Sequence, residues 1–182
     1  MAYVNKYDKD GSCSAIGHNA ENTFVKIAQN KGFEVNKATK RKNMFSHIDF
    51  HLSQEGKENM DVDVKARKKT SRKDNKFNDD WIWLEFKNVQ GKKGWLLGDS
   101  THIVFEREKE FAIVPREALA SWAKQAMAEK NGGKITITCK AKNAKDARYK
   151  YYTRWNRDDL LTQVNYQDMV SAICGIKIWV KQ

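Results

Sequence analysis

Met60-Asp61-Val62-Asp63-Val64-Lys65-Ala66-Arg67 alternates without a break. Its even positions are apolar and its odd positions charged, the period of a strand with one face in the core and the other in water. Asp63 and Lys65 therefore project from one face. Upstream, His47-Ile48-Asp49-Phe50-His51-Leu52 repeats the pattern, with Ile48, Phe50 and Leu52 on one side and His47, Asp49 and His51 on the other. The polar link Ser53-Gln54-Glu55-Gly56-Lys57-Glu58-Asn59 is short enough to join the two as an antiparallel hairpin, which brings Asp49 close to Asp63. Two carboxylates and an ammonium on one surface suit a divalent cation and a phosphate, because charges buried without partners are costly.

Around that hairpin the chain reads as α/β (α+β), a central mixed β-sheet flanked by helices. Residues 1–18 carry little periodicity and are expected to be a flexible N-terminal arm. Asn19 is a credible N-cap for a helix from about Ala20 to Asn30, with Phe24, Ile27 and Ala28 at helical spacing, Glu21 in the first turn and Gly32 as the stop. A short strand over Phe33–Val35 leads into a basic stretch, Lys37–Lys42. Trp81–Val89 alternates again and is expected to be a third strand of the same sheet, with Ile82, Leu84 and Phe86 on its apolar side and Trp81, Trp83, Glu85 and Lys87 opposite. Ile103–Phe105 and Phe111–Val114 supply two more strands. Pro115 opens a helix whose stripe is Leu119, Trp122, Ala123, Ala126 and Met127, closed by Asn131-Gly132-Gly133. Ile135–Cys139 reads as a strand that pairs with Tyr149–Thr153, followed by a short helix near Tyr166–Ile173 and a closing strand over Ile176–Val180. Length and composition fit one domain over residues 19–182, with a core over about 20–131 and a β-rich C-terminal elaboration over about 134–182.

Charge narrows the partners. There are 34 Lys and Arg residues against 23 Asp and Glu, a net +11, and the excess is clustered. Lys65–Lys76 holds seven basic residues and one acid; Lys140–Arg157 holds seven more, interleaved with Tyr149, Tyr151, Tyr152 and Trp155. Basic runs carrying aromatic rings favour a polyanion, above all nucleic acid, since phosphate neutralisation supplies affinity and rings stack on unpaired bases. The plain alternative is a solvated basic face. Of the six tryptophans, Trp81, Trp83 and Trp155 fall on polar faces or in a basic segment and are the ones least expected in the core. Cys13, Cys139 and Cys174 are odd in number and unpaired in spacing, which fits a reducing compartment. With no signal-peptide core and no apolar run of membrane-spanning length, the expectation is a cytoplasmic protein with no membrane partner. No Walker, dinucleotide or Gly-x-Ser-x-Gly motif is present.

Glu21 on a helix, Asp49 on one strand and Asp63-Val64-Lys65 on the next resemble the acid, Asp, (Asp/Glu)-x-Lys series of the PD-(D/E)xK phosphodiesterase superfamily, which includes restriction endonucleases, archaeal-type Holliday-junction resolvases and many phage nucleases. The resemblance spans about Ala20–Val114. Ile48 stands where the superfamily usually has proline, and Asp63 where Glu is commoner. The rival Glu85-Phe86-Lys87 carries the same acid-x-Lys pattern but lies across the basic loop, where Glu85 could still border the site.

The resemblance implies a restriction-endonuclease-like fold and a metal-dependent DNA endonuclease acting on duplex or branched DNA, phage-encoded given its small size, and so working in a host cytoplasm. It implies Mg²⁺, with Mn²⁺ as a substitute, held by Asp49, Asp63 and the Val64 carbonyl, with Glu21 direct or through water. Lys65 would then orient or deprotonate the attacking water and stabilise developing charge. Lys68, Lys69, Arg72 and Lys73 would follow the phosphate backbone. By analogy with nucleases that cut both strands, a homodimer is expected. Three other readings stay open. These are a surface ion pair between Lys65 and the acids, a transition-metal site on His47, Asp49 and His51, and a non-catalytic nucleic-acid-binding protein that keeps the fold.

Overall fold

The computed structural model describes residues 11–71, 74–134 and 140–181. In chain order its elements are α1 (Ser12–Asn30), β1 (Glu34–Lys37), α2 (Lys40–Ser46), β2 (Phe50–Ser53), β3 (Met60–Lys65), β4 (Trp81–Lys87), β5 (His102–Glu106), β6 (Glu110–Pro115), α3 (Arg116–Lys130), β7 (Leu160–Asn165), α4 (Tyr166–Ala172) and β8 (Lys177–Val180). A mixed six-stranded sheet runs β1-β2-β3-β5-β6-β8, and β4 and β7 form a separate two-stranded sheet. Every pairing is antiparallel except β3 with β5, where Val62 faces His102 and Lys65 faces Phe105.

The hairpin forms as its sequence predicts. Phe50 pairs with Val62, His51 with Asp61 and Leu52 with Met60. Val62 and Val64 then fall on the face covered by α1, within an apolar layer that includes Ala20, Phe24, Ile27, Leu52, Phe111 and Trp179. Phe24 is fully buried; its ring stacks on Trp179 at 5.5 Å and meets Phe111 edge-on. The opposite face of β5 and β6 carries Ile103, Phe105, Ala112 and Val114, which pack against α3, α4 and the β4–β7 pair. On β3 this second face is polar, so the apolar layer stops at β5 and charged groups begin.

Two expectations change. Helix α1 starts at Ser12, not Ala20, with a left-handed Gly11 as its N-cap and no cap from Asn19, so residues 12–18 are helical rather than an arm; residues 1–10 lie outside the described residues. Its first turns bury no side chain, and they extend a helix whose buried residues are Ala20, Phe24, Ile27 and Ala28. Propagation adds a hydrogen bond per residue without a new nucleation cost. Strand β4 does not join the main sheet. The free edge of β3 is taken by β5, whose Ile103, Val104 and Phe105 are all buried, and Leu84 and Phe86 of β4 bury instead in the layer under α3.

The basic stretch after β1 becomes α2, capped by the Thr39 hydroxyl, which accepts from Lys42 N–H. Trp122 is only half-buried in the α3 stripe. The expected strand Ile135–Cys139 lies outside the described residues, and the tyrosine segment meets β7 through Arg148–Gln163 and Tyr152–Leu161 bridges. Among the described residues no helix is long and apolar enough to cross a membrane.

Because Phe24 anchors α1 to the sheet, Phe24→Ala should lower unfolding stability by about 3–5 kcal/mol. Urea denaturation measures this, and a loss below about 1 kcal/mol would show that α1 does not close that face.

Candidate active site

Period 2 fixes the site. With Val62 and Val64 committed to the α1 core, Asp61, Asp63 and Lys65 must leave the other face. Asp49 immediately precedes β2, and its N–H donates to Val62 O at 2.8 Å, continuing the ladder and bringing Asp49 opposite Asp63. Both carboxyls are buried. Asp49 Oδ2 accepts the Val64 N–H at 2.7 Å, and its Oδ1 accepts the Asn43 side-chain amide from α2. Lys65 Nζ lies 2.6 Å from Asp63 Oδ1 and 5.1 Å from the centre of the Trp95 ring. Asp63 Oδ2 is buried with no donor against it, and the Asp63 and Asp49 carboxyls lie within hydrogen-bonding reach of each other, a contact that favours a proton on Asp63.

Electrostatics follow from this crowding. Burial raises the Asp63 pKa to about 8; Asp49 adds to the rise and Lys65 opposes it. Desolvation disfavours the Lys65 ammonium, but attraction to Asp63 and Asp49 outweighs it, so its pKa is raised. Two carboxyls share one ammonium, and the buried cluster therefore favours holding an extra proton or another cation. Glu21, half-buried on α1, is raised by desolvation and then by Asp49, with Lys37 and Lys65 acting against. Glu85 on β4 is raised by desolvation against the pull of Lys65, Lys68 and Arg154. His47 is lowered by desolvation and then by Lys65. Lys68 is solvent-exposed as a residue, yet its ammonium is lowered by desolvation and then by Lys65.

The loop from Gly91 to Asp99 closes the floor. A Cβ on Gly94 would stand 2.5 Å from Glu85 O and 2.9 Å from Glu85 Cγ, so only glycine lets this loop lie against β4. His47, in a left-handed conformation after α2, reaches Lys93 O with Nε2 at 3.4 Å.

The structure thus gathers Asp49, Asp63 and Lys65, with Val64 supplying an N–H to the first, and sets Glu21 and Glu85 within electrostatic reach. Lys87, the cation of the rival motif, is exposed beyond a register irregularity at the end of β4. His51 Nδ1 pairs with Asp61 Oδ1 at 2.5 Å, so His47, Asp49 and His51 are each engaged separately rather than converging. Among the described residues no three His, Cys, Asp or Glu side chains are grouped as a metal cage. The orphaned Asp63 oxygen beside Asp49 nevertheless fits a hard cation.

Lys68 and Lys69 are exposed at the mouth of the basic loop; Arg72 and Lys73 lie outside the described residues. Arg67 serves the fold, since its Nε binds Asp79 at 2.8 Å and its N–H reaches Glu106 at 3.1 Å. Sequence reading missed Asn43, Trp95 and Arg154. Asn43 and Trp95 sit in segments without periodicity, and Arg154 is one cation among many. Comparison with family models, curated proteins and solved structures finds no match to this chain.

A carboxyl whose folded pKa is raised binds its proton more tightly in the native state, so its contribution to stability is lost as pH rises from about 4 to about 8. In EDTA, the Tm of Asp63→Asn relative to wild type should therefore climb between about pH 5 and pH 8. A constant difference across that window would show that Asp63 ionises without penalty.

Proposed function

We propose that the protein is a metal-dependent endonuclease that hydrolyses phosphodiester bonds in DNA, with its centre at Asp49, Asp63 and Lys65. The observation that carries this reading is the pairing of two buried carboxyls, one with an unsatisfied oxygen, beside a single lysine on a basic protein. The PD-(D/E)xK resemblance supports it, although no family match does.

Asp49, Asp63 and the Val64 carbonyl would hold Mg²⁺ or Mn²⁺, with Glu21 acting through water. The bound cation supplies Lewis-acid activation of phosphate and water. The residues themselves do the rest. Asn43 and the Val64 N–H hold the Asp49 carboxylate in place, which fixes the site before substrate arrives. With its raised pKa, Lys65 stays an ammonium; it orients the water, donates to the scissile phosphate and stabilises charge on the phosphorane oxygens. The Trp95 ring faces its ammonium at 5.1 Å. Lys68 and Lys69 lead the phosphate backbone toward the centre.

The rival reading is a nucleic-acid-binding protein without catalysis, favoured by the 2.6 Å ion pair in which Lys65 already neutralises one oxygen of Asp63. Incubation with supercoiled, linear, single-stranded and four-way-junction DNA separates the two. Cleavage that needs Mg²⁺ and stops with EDTA supports the nuclease; binding without cleavage on every substrate supports the rival.

Asp63→Asn and Lys65→Ala should each abolish cleavage while leaving the fold intact, as read by circular dichroism. Full activity in either would discard this site, and loss in Glu85→Gln with Lys87→Ala would move it to β4.

Replacing Lys68, Lys69, Arg72 and Lys73 with Ala should weaken binding to all sequences alike. It should also flatten the slope of log affinity against log salt, by up to about 0.9 for each duplex phosphate that the variant no longer neutralises. An unchanged slope would leave that run as a solvated face.

A further inference from the structure

Trp155 is 89 % exposed, the most exposed large apolar side chain among the described residues. The turn that carries it is bound together by its own hydrogen bonds. Asp159, whose side chain is fully buried, accepts the Arg154 N–H at 2.9 Å on one oxygen and Arg154 Nε at 2.5 Å on the other. Arg157 N–H donates to Arg154 O at 3.2 Å, closing a turn whose third residue, Asn156, is left-handed at φ 53°. Asp158 N–H reaches Val89 O at 3.4 Å, tying the turn to the loop that follows β4. An indole left in water at the tip of a fixed turn forfeits the burial that its large apolar surface would gain.

Its surroundings are cationic and near the carboxylate cluster. Arg154 acts electrostatically on both Glu85 and Lys68, Glu85 acts on Lys65, and Lys65 acts on Lys68. Lys150 and Arg157 flank the same turn in sequence. An exposed flat ring on a hydrogen-bonded turn within a basic segment matches the requirements of an unpaired nucleotide, whose base stacks while its phosphate is neutralised. A paired base inside a duplex offers no free face to such a ring.

We infer that Trp155 is a stacking platform for an unpaired base. The substrate class of the Asp49–Asp63–Lys65 centre is then DNA with a single-stranded or branched stretch, rather than uninterrupted duplex. The assignment of substrate class rests on the nuclease reading of that centre; the stacking role does not.

The test uses the full chain in EDTA, so that binding is read without cleavage. Fluorescence anisotropy compares an oligodeoxythymidylate with a blunt duplex of matched phosphate number. Trp155→Ala should weaken oligodeoxythymidylate binding roughly 5- to 140-fold, the equivalent of one stacked base. Duplex affinity should stay within about twofold, and Trp155→Phe should retain most of the single-strand affinity. Since the side chain lies outside the core, both variants should keep the wild-type thermal transition. An equal loss on both DNAs, or no loss on the oligodeoxythymidylate, overturns the platform. Mg²⁺-dependent cleavage by the wild type, assayed in parallel, keeps the two readings apart. Selective loss in Trp155→Ala with no wild-type cleavage of any DNA upholds the platform and rejects the nuclease, whereas cleavage with no selective loss does the reverse.

Discussion

The pairing of Phe50 with Val62 is the constraint from which the rest of the molecule follows. Side chains alternate faces with a period of two, so a slip of one residue would drive Asp61, Asp63 and Lys65 against α1 and expose Val62 and Val64. Burial of these valines beside Phe24 and Trp179 opposes such a slip, and the same register carries Asp49 opposite Asp63. One hydrophobic choice on one face therefore determines an electrostatic arrangement on the other. The parallel contact with β5 then fixes β3 from its second edge, so the carboxylates stand on a strand held from both sides.

Around that strand, groups distant in sequence are brought into one field. Glu21 comes from the first helix, Asn43 from the second, Glu85 from the small sheet and Arg154 from the turn before β7. Each wall is held by ordinary packing: α1 by its apolar stripe, the floor loop by the close approach of Gly94 to β4, the Trp155 turn by Asp159. The cost of burying Asp63 is met by this scaffold and concentrated at one oxygen. A buried acceptor of this kind is destabilising in isolation, and its persistence on an otherwise well-satisfied strand is what marks the site.

Much of the hairpin was legible because its signal is local: strict alternation, a seven-residue polar link and charged residues on one side. The strands β5 and β6, helix α3 and the closing strand were legible for similar reasons. Three features were not. The first turns of α1 have no buried side, so residues 12–18 leave no amphipathic stripe to read. The short helix α2 buries nothing and carries the same defect. Strand β7 is buried at Leu160, Leu161, Thr162, Gln163 and Val164 alike, which erases period 2, and its partner β4 lies far away in sequence. Alternation told which face of β4 was apolar but not which strand it would join. For the centre, the acids and Lys65 could be read from spacing, whereas Asn43 and Trp95 became visible only through the contacts they make.

The β4–β7 pairing also has a consequence in time. Strand β7 begins 73 residues after β4 ends, and at typical synthesis rates of about 5–20 residues per second that interval lasts roughly 4–15 s. The hairpin bearing Asp49, Asp63 and Lys65 can pair locally on the nascent chain, but the apolar layer beneath α1 is complete only once Phe111 and Trp179 have been made. The wall carrying Glu85 and the Trp155 turn is delayed as well, because β4 waits for β7. Both faces of the hairpin are therefore finished only after β7 and β8 have been made, so the register that sets Asp49 opposite Asp63 is secured late in synthesis.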